Sequence, residues 1–182
     1  MRLLLYSLLA LALPAAAQTA LSARSASTVS AARCVDILPQ ATRSLASLAQ
    51  KTRTIFGQST EGAHAVAFLD SAGHVHAIEV TYFGESGRAI YEFYYAAGNV
   101  YLARERQLIY NAPIYMNRES ADKMRREEGV IQEPFDDRKT KVQENLYCFG
   151  SNKPVEQQEG SGAEEARVLQ ISEDAFTEFT KE

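Results

Sequence analysis

Four short runs of β-forming residues, separated by turns that contain glycine, occupy the centre of the chain. The runs are His64–Leu69, His74–Phe83, Arg88–Tyr95 and Asn99–Tyr110. The turns contain Gly73, Gly87 and Gly98, each standing where a tight hairpin with a G1 bulge needs a positive φ. Strands joined by such short hairpins must be antiparallel neighbours, so this region predicts a four-stranded meander.

Centring each hairpin on its turn predicts which residues lie opposite each other. The predicted pairs are Val66 with Ile78, Phe68 with His76, Tyr82 with Ile90, Phe93 with Tyr101, and Tyr94 with Val100. Both faces of this sheet are apolar, which predicts a helix on one face and later segments over part of the other. In this register Glu79 and Glu92 lie on opposite faces, which excludes a carboxylate pair. Each is expected to pair with a nearby arginine (Arg88, Arg104 or Arg106).

A helical repeat precedes the strands. Small and apolar residues recur at spacings of three and four along one predicted face, which consists of Leu38, Ala41, Leu45, Leu48, Thr52 and Ile55. Pro39 is tolerated because it falls in the first turn, and Gly57 is a natural helix stop. The pattern predicts an N-terminal amphipathic helix packed on the antiparallel meander.

Later segments complete an α+β prediction of about six strands. Residues Asn117 to Gly129 favour a short exposed helix that Gly129 closes. Lys141–Phe149 and Pro154–Gln158 favour a second hairpin. A terminal helix is indicated by Val168, Leu169, Ile171, Ala175, Phe176 and Phe179. The pattern leaves open whether that helix docks on the sheet or forms a mobile acidic tail.

The first seventeen residues have the pattern of a cleavable secretory signal peptide. Arg2 supplies the positive charge, Leu3–Leu13 form an apolar stretch, and Ala15 and Ala17 form a small-x-small cleavage site. The apolar stretch is shorter than the ~20 residues that a spanning helix needs, so no transmembrane anchor is expected after cleavage. We predict an exported protein, periplasmic or secreted.

The sequence is predicted to contain four parts. Residues 1–17 are the signal peptide, 18–33 a disordered lead-in rich in Ala, Ser and Thr, 34–158 a single α+β domain, and 159–182 an acidic segment with helical periodicity. The formal net charge of −4 becomes −5 when Arg2 is removed with the signal. A mild acidic balance without a basic stripe argues against nucleic acid as a partner.

Two cysteines in an exported chain predict one disulfide, Cys34 to Cys148. The alternative is two buried thiols that pack as small apolar groups. No Cys-x-x-Cys or Cys/His cluster indicates redox chemistry or structural zinc, and no cofactor is predicted.

The sequence contains none of the common phosphate-loop, dinucleotide, nucleophile-elbow or metalloprotease motifs. The sharpest metal candidate is His74-x-His76, because residues two apart on a strand share a face, with Asp70 opposite His74 across the turn. A metal-assisted hydrolase using this set is one hypothesis. The alternative is a pair of ordinary histidines at a strand end.

Tyrosine is the other conspicuous residue type, and eight of the nine lie beyond the predicted signal. Tyrosines on a sheet are cross-strand packing partners, or, when exposed, an adaptable surface for protein or glycan binding. The candidate binding residues are Tyr91, Tyr94, Tyr101, Arg104, Tyr110 and Tyr115. Arg104 and Arg106 share one strand face and are suited to an anionic ligand.

The strings Gly84-Glu85-Ser86-Gly87, Tyr91-Glu92-Phe93-Tyr94 and Tyr110-Asn111-Ala112-Pro113-Ile114-Tyr115, with Gly98 between them, resemble a pattern that recurs in uncharacterised exported bacterial proteins. The resemblance covers about the central third of the chain and implies a bacterial envelope origin. That group has no assigned activity, so no catalytic residue follows from it.

The leading functional prediction is a non-enzymatic module that binds a small ligand or a protein. A structural envelope protein whose acidic tail contacts a basic partner is a further alternative.

Overall fold

A computed structural model shows one antiparallel sheet with helices packed against it, which confirms the α+β class. The structure describes residues 35–55, 59, 61–150, 153–154 and 162–181. The strands follow one another in chain order across the sheet, and each is antiparallel to the next. They are β1 (Ala49–Ile55), β2 (Ala63–Leu69), β3 (Val75–Gly84), β4 (Gly87–Ala96), β5 (Asn99–Ile109), β6 (Lys141–Gly150) and the short β7 (Lys153–Pro154).

The four predicted central strands are confirmed, but the predicted register is wrong in all three hairpins. The observed pairs include Val66 with Glu79, Phe68 with Ala77, Thr81 with Ile90, Phe93 with Ala103, Tyr94 with Leu102, and Tyr95 with Val100. The register shifts within the first and third hairpins, where a β-bulge adds one residue to one strand. In the second, Gly84 pairs with Gly87, so the turn is only Glu85-Ser86.

The third turn also differs in type from the prediction. Both of its central residues have positive φ, 49° at Ala97 and 77° at Gly98. That is the signature of a type I′ turn, whose twist matches that of the flanking strands. A type I turn with a G1 bulge needs a positive φ at the glycine alone.

The N-terminal helix is shorter than predicted. Helix α1 spans residues 35–44 and is followed by a 3₁₀ turn at Leu45–Ser47, after which the chain becomes strand β1. The predicted helical positions Thr52 and Ile55 therefore lie on a strand. Three of the last four residues of β1 are β-branched, and pairing with β2 satisfies backbone groups that a solvent-facing helix would satisfy internally.

Helix α1 covers part of one sheet face, as predicted. Ala41 is buried with Ala77, Tyr94 and Leu102, and Leu38, Leu45, Phe68 and Cys148 pack around them. We call the face that carries Ala77, Tyr94 and Leu102 the α1 face.

The opposite face carries most of the core and is covered by the C-terminal helix α3 (Gly162–Thr180). Val168, Ile171, Ala175 and Phe179 of this helix are buried against Ile78, Val80, Phe93 and Ala103. We call this sheet surface the α3 face. The predicted terminal helix is therefore confirmed, and it docks on the sheet rather than forming a free acidic tail.

Two further predicted elements, a helix and a strand, are also found. Helix α2 (Arg118–Glu127) is capped by Asn117, whose side chain accepts a hydrogen bond from the Ser120 amide, and Gly129 follows it with φ 69°. Strand β6 confirms the first half of the predicted second hairpin, whereas most of the predicted Pro154–Gln158 strand lies outside the described residues.

The predicted signal peptide, lead-in and Cys34 also lie outside the described residues. Among the described residues, no helix has the length and apolar character needed to cross a membrane.

Candidate functional site

A cleft of about 670 Å³ opens at one end of the sheet, where two hairpin turns approach the last turn of α3. Its volume lies within the ~300–1,000 Å³ typical of small-molecule sites. The chemically distinctive lining residues are Asp70, His74, His76, Tyr95, Tyr101 and Phe176. Four of these six, Asp70, the two histidines and Tyr101, are sequence-predicted site residues, and the fold brings them together.

Asp70 organises the first turn. Its Oδ1 accepts hydrogen bonds from the backbone amides of Ala72 and His74, each at 2.9 Å, and Gly73 supplies the positive φ that closes the loop. Its Oδ2 lies 3.1 Å from both His74 Nδ1 and His76 Nε2. The bulge in this hairpin leaves His76 without a cross-strand partner, because Leu69 pairs with Val75 and Phe68 with Ala77.

Asp70 is held as a carboxylate. The His74 amide, followed by the His76 imidazole, holds the pKa of this carboxyl well below its ordinary value. Both of its oxygens are occupied by groups of its own hairpin. No three His, Cys, Asp or Glu side chains in the described part of the chain are arranged to hold a metal ion. The geometry of the Asp70, His74 and His76 set is that of a hydrogen-bonded turn.

The opposite wall of the cleft is aromatic. The Tyr95 and Phe176 rings lie 4.9 Å apart between centroids. The Tyr95 hydroxyl is tied to α3, because it donates to the Ser172 carbonyl at 3.1 Å and lies 2.9 Å from Ser172 Oγ. Burial raises the pKa of Tyr95 and of the half-buried Tyr101. Both therefore present neutral phenol rings at physiological pH.

The other predicted binding residues do not share one surface. Tyr91 and Tyr94 are each 2% exposed and lie on opposite faces of the sheet. Tyr110 packs edge-on against Phe135, with centroids 5.2 Å apart, whereas Tyr115 is 58% exposed.

Arg104 is engaged with Glu92, which confirms the expected ion pair. Glu92 Oε1 accepts hydrogen bonds from Arg104 Nη2 at 2.7 Å and Arg106 Nη2 at 2.9 Å. Glu79 forms no ion pair with another described residue. The prediction that it lies on the opposite face from Glu92 is wrong, because the two residues are direct cross-strand partners.

A smaller hollow lies beside this ion pair, between the end of α1 and the α1 face. It encloses about 290 Å³ and is lined by Ala46, Gln50, Glu79, Glu92 and Tyr94, among others. It is less than half the size of the cleft, and the described residues that line it lack the two histidines that the cleft has. The cleft is therefore the stronger ligand site.

The sequence did not identify the side chain that makes the most hydrogen bonds among the described residues. Glu105 is 0% exposed on the α3 face. It accepts hydrogen bonds from Tyr91, Gln107, Asn145, Tyr147 and Arg167. Burial alone would raise the pKa of its carboxyl, but these donors outweigh burial and lower it to about 2. The sequence feature that could have indicated this site is a carboxylate two residues after Ala103, which places both side chains on the same face of the strand.

Comparisons of the chain with protein-family models, with curated proteins and with solved structures found no match.

Proposed function

We propose that this protein is a non-enzymatic binding module of the bacterial envelope that takes a small ligand in the cleft between the hairpin turns and α3. The observation that carries the proposal is the cleft itself, with its ≈670 Å³ volume and its mixed aromatic and polar lining. Its location in the envelope rests on the predicted signal peptide and on the motif resemblance.

The chemistry of the Asp70, Tyr95 and Tyr101 side chains favours binding over catalysis. The lowered pKa of Asp70 makes it a weak base, and the raised pKa values of Tyr95 and Tyr101 make them weak acids at neutral pH. No serine or cysteine is found among the described residues that line the cleft. The rings of Tyr95 and Tyr101 are well suited to hold a ligand by ring contacts.

Protein binding through the loop from Tyr110 to Tyr115 is a second candidate function. The observation that favours it is the exposure of two large neighbouring side chains, Ile114 at 53% and Tyr115 at 58%. Exposed apolar and aromatic residues that adjoin each other are typical of interaction sites.

Two tryptophan variants test the proposed site. Ala96 lines the cleft and is exposed at the end of β4, so Ala96→Trp should fill the opening. Ala46 is exposed beside the smaller hollow, so Ala46→Trp is the matched control. We expect members of a chemically mixed library of sugars, amino acids, amines and organic acids to raise the Tm of the wild type and of Ala46→Trp but not of Ala96→Trp. A ligand shift that survives in Ala96→Trp would contradict the proposal.

A further inference from the structure

We infer that the cleft selects an organic cation, an ammonium group that carries apolar substituents. This inference rests on the proposed binding function and specifies its ligand class. It is carried by three features that meet in the cleft, namely an ionised carboxylate, the last residue of a helix, and aromatic rings.

No lysine or arginine in the described part of the chain forms an ion pair with the Asp70 carboxylate. Its side chain is 31% exposed, and its partners are two backbone amides and two imidazoles. None of the described residues that line the cleft is a lysine or an arginine. Lys181, which directly follows the lining residue Thr180 in the sequence, lines a separate pocket with Tyr82 and Glu178.

The end of α3 adds to the negative potential. Thr180, the last residue of the helix, lines the cleft. The carbonyl groups at a helix C-terminus carry a partial charge of roughly −0.5, which favours a nearby cation. An anionic ligand would be repelled by both this helix end and Asp70.

Aromatic rings supply the apolar contacts. Tyr95, Tyr101 and Phe176 all line the cleft. Ring faces attract ammonium groups within about 6 Å, and pockets of several aromatic rings are a known solution for alkylated ammonium ions. A calcium or magnesium ion would need six or more oxygen ligands, which this aromatic wall does not offer.

Paired probes separate charge from shape. Choline is compared with its uncharged isostere 3,3-dimethyl-1-butanol, and phenethylammonium with 2-phenylethanol. Binding is measured by isothermal titration calorimetry at pH 8, above the range in which imidazole side chains usually gain a proton. We expect at least one cation to bind about ten-fold or more tightly than its neutral counterpart, and added salt to weaken that binding.

Asp70→Asn tests the carboxylate directly, because an asparagine carbonyl still accepts the Ala72 and His74 amides and preserves the turn. We expect a ten-fold or larger loss of affinity for the cation in this variant. Asp136→Asn is the matched control, since Asp136 also caps a turn by accepting the Arg138 amide but does not line the cleft.

The outcomes distinguish this inference from the proposed function. Equal binding of cation and isostere, or an Asp70→Asn variant that binds cations as tightly as the wild type, would overturn the inference and leave a binding cleft in place. The inference would also be overturned if neither cation bound while a neutral or anionic ligand bound the wild type but not Ala96→Trp. If no ligand binds the wild type and is excluded by Ala96→Trp, both the inference and the proposed function are overturned.

Discussion

Arg167 of helix α3 donates a hydrogen bond of 2.8 Å to the carboxylate of Glu105, which is completely buried at the centre of β5. The same guanidinium donates to the Tyr91 hydroxyl at 2.6 Å and lies over the Tyr91 ring. These contacts fasten α3 to the sheet near its N-terminal end. Tyr95 and Ser172 fasten it further along, next to the cleft. The position of the cleft wall therefore depends on a buried polar network.

Loss of the Arg167 guanidinium should destabilise the fold. Arg167→Ala leaves Glu105 buried with fewer donors, and because Arg167 is itself 41% exposed, we expect a loss of about 1–2 kcal/mol in the free energy of unfolding. Glu164→Ala is the control, because it removes only the exposed partner of Arg167 one turn away, a contact worth less than about 0.5 kcal/mol. Urea unfolding measures both. Equal losses in the two variants would show that the buried contact contributes little.

The buried carboxylate also makes stability depend on pH. Its folded pKa of about 2 lies below the ordinary value of 4.5, so its contribution is fully present above about pH 4.5. That contribution is lost as pH falls from 4.5 toward 2, and it amounts to at most about 3 kcal/mol. Glu105→Gln cannot ionise, so its unfolding free energy should fall less over this window than that of the wild type. Identical slopes for the two proteins would contradict the assignment.

The predicted disulfide has a favourable setting. Cys148 lies opposite Leu102 and packs with Leu38 of α1, the helix whose first described residue directly follows Cys34 in sequence. We expect no reactive thiol in unreduced, unfolded mature protein. Reduction should cost about 4–5 kcal/mol in the chain-entropy model, since the bridge would close a loop of about 115 residues. Two reactive thiols would exclude the bridge.

Zinc should leave the protein unaffected if Asp70, His74 and His76 form only a hydrogen-bonded turn. We expect no change in Tm on addition of zinc to metal-free protein, because a ligand that does not bind the folded state cannot stabilise it. A concentration-dependent rise that His74→Ala abolishes would instead support the metal-assisted hydrolase hypothesis.

The strands and turns of the meander were predictable because their signals are local. β-branched and aromatic runs between Gly73, Gly87 and Gly98 are enough to place four strands to within one or two residues. The register of the first and third hairpins was not predictable, because their bulges depend on packing across the sheet rather than on turn composition. In the second hairpin the turn is two residues long instead of the predicted bulged turn, which shifts the pairing by one residue.

Strand β1 was predicted as helix because its sequence pattern is ambiguous. Residues such as Leu48 and Ile55 fit a helical repeat that begins at Leu38, and short amphipathic segments are ambiguous between helix and strand. Pairing with β2 decides the outcome, and the helical repeat itself carries no information about that pairing.

The candidate site was predictable only in part. The spacing of His74 and His76 and the turn residue Asp70 identify one wall of the cleft from local sequence. The other wall joins Tyr95 to Phe176 and Ser172, and Ser172 lies 77 residues further along the chain than Tyr95. Glu105 was overlooked for the same reason, since its donors Tyr147 and Arg167 come from two separate later elements.

Ligand binding in the cleft is tested most directly by NMR chemical-shift mapping. The ¹⁵N-labelled mature protein is titrated with the small-molecule fraction of the native envelope, with Ala96→Trp as the matched sample. We expect saturable shifts in the amides of residues 70–76, 95–101 and 176–180 of the wild type, and none there in the variant. Shifts confined to other surfaces, such as the loop from Tyr110 to Tyr115, or no shifts at all, would contradict it.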